Sequence, residues 1–411
     1  MKLFLIFIYT ISLNLFSHGK VNSIDEFEDI DRLITFPDTK NFVVISSDLH
    51  THSAFSDGHV WPNLRTAEAL RDGIDLLAIT EHLELQPHKN DIPHIDRNRA
   101  YEIARDSAEG DELIVINGTE ITRKFPPGHI NAVFVKDANK LINIDRSKQP
   151  EVDEYIAGLP KDRIQEYIDE PWLNDGVLAA LWPIEETLIE AKNQEAFVFW
   201  NHPAWSSEED SSDKLLHEIH IDLFKQNLIH GIEVVNGIWF SDEAFQIALD
   251  YDLTIMGTSD VHGLIDWDYL QRPNGHRSVT LILSEDKTEK SIKDALFKGR
   301  TVVWYKNILI GKNENVQEII DASLSIKNAY FKGNTNVLLV EIENISDANF
   351  QLRVNDGQLI ENNPNIFSVA PHGITKIEIG NSKSTKVNLG VDVLNSYIAP
   401  NMHPSIVLSN L

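Results

Sequence analysis

The chain contains no cysteine. That absence excludes disulfides, thiolate nucleophiles, thiolate zinc sites and lipid attachment at a cysteine, so any metal must be held by His, Asp and Glu. Positive charge is also scarce: 36 Lys and Arg stand against 63 Asp and Glu, for a formal net charge of −27. A field of that sign repels a polyphosphate backbone, which argues against nucleic acid as a partner unless bound cations reverse the local potential. Internal repeats and low-complexity linkers are lacking too.

Long apolar runs are missing except at the start, where Leu3 to Phe16 follows a single Lys and gives way to small and polar residues. That run is shorter than the roughly 20 residues needed to span a bilayer, so residues 1–22 read as a cleaved export signal rather than an uncleaved anchor. The expectation is a secreted or periplasmic protein with no membrane span after cleavage.

What is present is ample material for folding. With 411 residues, 42% of them hydrophobic, the chain can build two or three domains with sizeable cores. From about residue 42, short apolar runs alternate with amphipathic stretches: FVVISSDLH (Phe42–His50), IDLLAITEH (Ile74–His82), ELIVINGTE (Glu112–Glu120), AFVFWNHP (Ala196–Pro203), GIEVVNG (Gly231–Gly237), LTIMGTSDVH (Leu253–His262) and RSVTLILS (Arg277–Ser284). Between the first two, Pro62 favours a helix start and Gly73 a stop, with Ala67 and Leu70 spaced to face a core. A repeating strand–helix pattern argues for a parallel sheet closed into a barrel.

The residues after the apolar runs carry the chemistry. Strand after strand ends in His, Asp or Glu: His50 and His52, Glu81 and His82, Glu120, His202, Asp260 and His262. In a parallel barrel such ends converge on one face, where the loops build the active site. A lone histidine would read as a hydrogen-bonded core or surface residue; recurrence at successive strand ends reads as a ligand set.

The segments DLHTHSAFSDG (Asp48–Gly58), AITEH (Ala78–His82), NGTEIT (Asn117–Thr122), PPGHINAVF (Pro126–Phe134), WNHPAW (Trp200–Trp205) and TSDVHG (Thr258–Gly263) resemble, in order, the signature blocks of the PHP-domain (polymerase and histidinol phosphatase-like) metal-dependent phosphoesterases. The resemblance covers about residues 42–308. It implies an α/β fold, a distorted TIM-like (β/α)7 barrel, with nine ligands for three metal ions. His50, His52, Glu120 and Asp260 would hold one ion, Glu120 would bridge to a second held by His129 and His202, and Asp57, His82 and His262 would take the third. Some relatives carry His where this chain has Asp57, and a carboxylate there adds negative charge and hardness, which leaves the metal at that site open.

A His and carboxylate set without thiolate suits Zn, Mn or Fe, and a bridging carboxylate lets two ions sit about 3.5–4 Å apart. Two cations sharing a water lower its pKa from about 15.7 toward 7, which supplies a hydroxide nucleophile at neutral pH. The expected reaction is in-line attack of that metal-bridging hydroxide on the phosphorus of a small anionic phosphate ester. Asp260 is expected to orient the hydroxide and share its proton, with Glu120 and His262 as the other catalytic candidates. Bound divalent ions would turn the pocket cationic inside an acidic protein.

Several further residues are ambiguous. Arg97 and Arg99 could clamp a phosphate or be solvated helix arginines. Arg123 follows Glu120 closely enough to face the same pocket, and His88 and His94 lie in a loop beside the third site. His276 and Arg277 read as structural pairing. Asn236 ends a strand on the catalytic face, and Trp205, Trp239 and Trp267 follow strand ends, as substrate walls or as loop packing.

Residues 136–195 form a helical insertion, either a lid or a cover on the outer wall. From about residue 311, NVLLVEIENISDANFQLRV, SVAPHGITKIEI and TKVNLGVDVLNSYIAP alternate apolar and polar positions between Asn, Gly and Pro turns. They predict an all-β sandwich over residues 311–411, in which His372 and His403 stand alone. The barrel is expected over residues 40–310. Alternatives to a phosphatase or phosphodiesterase are a metal-dependent amide or ester hydrolase and a non-catalytic metal- or phosphate-binding secreted protein. The oligomeric state is left open.

Overall fold

Residues 33–88, 91–92, 95–170, 172–209, 212, 214–269, 275–355 and 365–410 are described by a computed structural model. The expected leader over residues 1–22 and His94 lie outside them. The apolar runs become strands β1 (Val43–Asp48), β2 (Leu76–Ile79), β3 (Ile114–Ile121), β4 (Ile130–Val133), β5 (Phe197–Trp200), β6 (Gly231–Asn236), β7 (Trp239–Phe240), β8 (Thr254–Thr258) and β9 (Val279–Ser284). β1, β2 and β3 pair in parallel, as do β5, β6 and β8. The central strands are buried along nearly their whole length, as expected where helices cover the outer face and side chains fill the inner one.

The sheet is not uniformly parallel. β4 runs antiparallel to both β3 and β5, and β9 runs antiparallel to β1. The cause of the first reversal is local, because only the loop carrying Arg123 to His129 separates β3 from β4, too short for a helical crossover. Side chains tie β8 to its neighbours. Thr280 Oγ1 accepts from Gly257 N (2.9 Å), Thr301 Oγ1 donates to Ile255 O (2.7 Å), and a Cβ at Gly257 would collide with Val303. The result is a distorted barrel with α helices outside.

Helix α1 (Pro62–Arg71) starts at the proline as expected, but it does not bury Ala67, which is exposed, and Leu70 is only half-buried. It buries Arg65, Glu68 and Ala69. Arg65 donates to the carbonyls of His52 (2.7 Å), Val261 (3.2 Å) and His262 (2.9 Å), and its Nη1 pairs with Glu68 at 2.7 Å. An ion pair thus occupies the inward face because three loop carbonyls beside the strand ends need donors.

Helices α2 (Arg99–Ser107), α3 (Gln149–Ala157), α4 (Lys161–Asp169), α5 (Trp172–Ala180), α6 (Ile184–Asn193), α7 (Pro203–Glu209), α8 (Glu218–Lys225), α9 (Asp242–Asp250), α10 (Ile265–Asp268), α11 (Glu289–Phe297) and α12 (Asn313–Ser323) complete the layer. The insertion between β4 and β5 is helical: α6 packs Leu188 and Ala191 into the core around Val198 and Trp200, whereas α3, α4 and α5 stand at the catalytic end. No described helix is long and apolar enough to cross a membrane.

Beyond β9, β10 (Thr301–Tyr305) and β11 (Ile308–Gly311) extend the barrel sheet. Then α12 runs directly into the all-β part: β12 (Leu324–Phe331), β13 (Leu338–Asn344), β14 (Phe350–Val354), β15 (Ile366–Val369), β16 (Ile374–Ile379), β17 (Asn388–Val393), β18 (Ser396–Tyr397) and β19 (Ser405–Ser409). One sheet is β12-β13-β16 and the other β15-β14-β17-β19, both antiparallel. Alternating burial along β13 and β14 places Val340, Ile342, Phe350 and Leu352 between them.

The two parts are interleaved. β18, from the all-β segment, adds to the barrel sheet in parallel with β11, pairing Leu309 with Ser396 and Ile310 with Tyr397. Around this seam Asn307 exchanges hydrogen bonds with Asn349, donating to its carbonyl (3.1 Å) and accepting from its N–H (2.7 Å), and Asn395 donates to Asn307 O at 3.0 Å.

Candidate metal centre

All nine residues named as ligand candidates converge at the ends of the parallel strands. They form four overlapping groups whose donor atoms lie within 4.8 Å of one another: His52, Asp57, His82 and His262; His50, His52 and Glu120; His50, His202 and Asp260; His82, Glu120 and His129. The groups share members more than three separate sites would, with His52 and His82 each standing between neighbours.

The local fold explains how they are aimed. His50 and His52 lie in the extended segment after β1, and the turn that follows closes tightly, with Gly58 N donating to Ser53 O (2.9 Å). A Cβ at Gly58 would lie 2.7 Å from Ser53 N, so glycine is required for Asp57 to face the histidines. His202 (φ 22°) and Asp260 (φ 49°) both adopt the left-handed region, a strained conformation held where two strands deliver their side chains inward.

Glu120 is the hub. Its Oε1 lies 3.0 Å from His129 Nδ1, 3.2 Å from His202 Nε2 and 3.5 Å from His50 Nε2. Its Oε2 lies 2.9 Å from His82 Nδ1 and 3.4 Å from His52 Nε2, yet it makes no aligned hydrogen bond, because His82 Nδ1 is directed at Thr122 Oγ1 (2.7 Å). Asp260 Oδ1 sits 3.1 Å from both His50 Nε2 and His52 Nε2 and is likewise buried without a hydrogen bond. Asp57 bridges the outer histidines, 3.3 Å from both His82 Nε2 and His262 Nε2.

These contacts test whether cations fit. His50 Nδ1 faces the acceptor-only carboxylate of Glu233 at 2.8 Å, which puts the proton of a neutral ring on Nδ1 and a lone pair on Nε2. That lone pair points at His52 Nε2, 3.0 Å away, and at Asp260 Oδ1. Acceptors facing acceptors in a buried cluster, with two orphaned carboxylate oxygens, match the chemistry of a cation-binding set.

The electrostatics agree. Burial alone would depress the His50 imidazolium, but the charges of Asp260, Glu233 and Glu120 override it and raise its pKa well above the ordinary value. Burial would raise Glu120, yet His82, His50 and His129 hold it well below the usual carboxylate range. His82 is pushed up to about 10 against burial, chiefly by Glu120 and Asp57. His52, buried beside His262 and His82, falls to about 3. The interior of the cluster demands positive charge.

A layer of residues behind the cluster holds it in place. Glu233, in the middle of β6, accepts from Thr258 Oγ1 (2.6 Å), His202 N (2.8 Å) and Asn236 Nδ2 (3.0 Å) as well as facing His50. Asn236 Nδ2 also reaches Asp260 Oδ2 at 3.1 Å. Glu81, although it ends a strand beside His82, turns away to accept from Ser53 N (3.1 Å) and from the hydroxyls of Ser53 and Ser56. Sequence reading missed Glu233; the signal was a carboxylate inside the apolar run GIEVVNG, costly to bury unless partnered.

The cluster floors an open cavity of about 720 Å³ that is also lined by Trp205, Glu208, Val234, Asn236, Trp239 and Phe240. Of the candidate substrate contacts, Arg123 is buried in an ion pair with Glu84 and lines a neighbouring cleft of about 400 Å³, which it shares with His129, Trp205 and helices α3 to α5 of the insertion. Arg97 donates to Leu83 O (2.8 Å), and burial lowers its pKa to about 10. Arg99 pairs with Glu102, and His88 is exposed in a turn; neither they nor Arg97 line either space. Arg277 is buried against Asp72 (2.7 Å) and Asp48 (3.1 Å), His276 stacks on Trp304, and Trp267 covers Gly263 outside the cavity.

Residues 324–409 match a family described as an Ig-like domain. No curated protein matches the chain. Among solved structures, a two-domain protein of Bacteroides vulgatus containing a predicted PHP-like metal-dependent phosphoesterase is 30% identical, with 92% of this chain and 98% of that one aligned at a TM-score of 0.75. A protein of Bifidobacterium adolescentis described as a putative metal-dependent phosphoesterase (19% identity, 62% of this chain and 96% of that one, TM-score 0.36) and an amidohydrolase from Chromobacterium violaceum (16%, 56% and 90%, TM-score 0.36) are much less similar and add nothing to the assignment. Because the first of these likenesses spans both the barrel and the Ig-like part, the chain belongs to the PHP-like metal-dependent phosphoesterases.

Proposed function

We propose that this PHP-type hydrolase cleaves small phosphate monoesters or diesters, using two or three divalent ions drawn from Zn, Mn and Fe. The observation that carries the proposal is the pair of orphaned oxygens, Glu120 Oε2 and Asp260 Oδ1, facing imidazole nitrogens on the floor of an open cavity. His50, His52, Glu120 and Asp260 would hold one ion, Glu120, His129 and His202 a second, and Asp57, His82 and His262 a third. When bound, such ions supply Lewis acidity toward phosphate oxygens and a water acidic enough to ionise near neutral pH.

The chain's own groups do the rest. Asn236 fixes Asp260 through Oδ2, which leaves Oδ1 aimed at the cluster to take the proton of an attacking water. Glu120 holds four histidines in one arrangement, so the nucleophile and phosphorus meet without reorganisation of the site. With only two ions bound, His262, 35% exposed at the mouth, would be free to protonate the leaving oxygen through Nε2; with the third bound it would serve as a ligand instead. The remaining parts of the proposal are an export leader at residues 1–22, a barrel over residues 40–310 and an accessory β-sandwich over residues 311–411.

The test is metal content by elemental analysis together with hydrolysis of a chromogenic phosphate monoester and its diester, before and after chelation. Two or three equivalents of transition metal, with turnover lost on chelation and restored by Mn or Zn, is the expected result. Turnover of carboxylic esters or amides but of neither phosphate would transfer the same site to carbon chemistry. Metal content with no turnover at all would leave a binding protein.

A further inference from the structure

Resting on the phosphoesterase proposal, we infer that the preferred substrates carry an uncharged aromatic group on the phosphate, seated between Trp205 and Trp239. The cavity of about 720 Å³ is far larger than a phosphate needs and falls within the range of pockets that enclose a whole organic ligand. Among the described residues lining it there is no Lys or Arg; apart from the histidines, its charged groups are Asp57, Glu120, Glu208, Glu233 and Asp260. Phosphate oxygens would be engaged by cations at the floor, and the rest of the substrate meets Trp205, Val234, Trp239 and Phe240.

The Trp205 ring is held by its neighbours, and the backbone that carries Trp239 is fastened. The Trp205 ring stands edge-on to His202 (5.0 Å, 90°) and His129 (5.7 Å, 66°), so a rigid part of the cluster supports it while 52% of the residue is exposed. Trp239 is 73% exposed at the tip of the β6–β7 hairpin, a turn built on Gly237 in the left-handed region (φ 56°). That turn is fastened from the far side, where Ser278 Oγ donates to Gly237 O (2.6 Å), and Tyr305 and Lys306 both donate to Ile238 O. A large apolar ring presented to solvent on a fixed backbone loses little entropy on binding and gains by burial. Glu208, on the same helix as Trp205, disfavours a second negative charge on the organic group.

The experiment is calorimetric titration of the Mn-replete full-length protein with 1-naphthylmethylphosphonate and with methylphosphonate, in wild type, Trp239→Ala, Trp239→Phe and Trp205→Ala. A naphthyl-to-methyl affinity ratio of ten or more is expected in wild type, falling at least fivefold in each alanine variant and returning in Trp239→Phe. Taking the ratio within each protein cancels any change in metal loading or in phosphonate binding itself. A wild-type ratio near one, or a ratio that the alanine variants leave unchanged, overturns the inference. Failure of both phosphonates to bind overturns it together with the phosphate proposal. The expected ratios without turnover of the corresponding phosphate esters would overturn only the phosphoesterase proposal.

Discussion

Glu233 Oε1 lies 2.8 Å from His50 Nδ1, with both residues buried, so a carboxylate in the middle of one strand fixes the tautomer of a histidine delivered by another. Such partners behind a ligand are worth about 10–100-fold in metal affinity or activity. Glu233→Gln is expected to keep the fold but weaken metal retention by that order. Dialysis against a graded chelator series, followed by elemental analysis, measures it; retention equal to wild type would show that His50 needs no such partner.

Glu120→Gln removes the charge around which His50, His82, His129 and His202 are arranged. The expected outcome is loss of at least one equivalent of metal and a fall in turnover of about a hundredfold or more, consistent with removal of a group that acts on the transition state. Undiminished metal and turnover would displace Glu120 from the centre.

Arg277 is buried between Asp72 and Asp48. Replacing it by Met leaves Asp48 without its cation and removes one of two from Asp72, which keeps Arg71 at 3.2 Å; breaking a buried pair in this way costs about 3–5 kcal/mol. Urea unfolding of Arg277→Met should show a loss in that range, whereas a loss under about 1 kcal/mol would mean that the N–H (3.1 Å) and hydroxyl (2.6 Å) of Ser259, which both donate to Asp48, suffice for it. The triple variant Arg277→Met, Asp48→Asn, Asp72→Asn should recover part of it.

His276 lies face to face with Trp304, with Nδ1 donating to Arg277 O (2.7 Å), and burial lowers its pKa from 6.5 to about 4. The unfolded chain therefore binds a proton more readily than the folded one between those values, so stability falls as the pH drops through that window. From neutrality to about pH 5 the contribution is about 2 kcal/mol. His276→Phe, which keeps the stack, should flatten the acid limb of stability against pH by that amount; an unchanged slope would remove His276 from the account.

The cluster was legible because acid and imidazole groups interrupt apolar runs at one end of each, a pattern that local sequence carries by itself. What was hidden depends on partners far away in the chain. Ala67 reads as a core position on α1, yet Arg65 and Glu68 take the inward face to serve the carbonyls of His52, Val261 and His262. The direction of β4 and β9 is set by loop length and by pairing, neither of which a hydrophobic run reveals. Arg97 and Arg123 looked available for phosphate because a sequence does not display Leu83 O or the Glu84 carboxylate that engage them. The all-β segment was readable from its alternation, but the departure of Ser396 and Tyr397 to another sheet was not.

That departure sets an order on assembly. A chain made from its N-terminus exposes β11 at residue 308, but the strand that covers its edge follows almost ninety residues later, after most of the Ig-like part has emerged. Until then the barrel has an unpaired edge, the kind of surface that recruits other chains. Messages that end early, or proteases that trim the tail, would therefore yield an adhesive barrel rather than a smaller self-contained one.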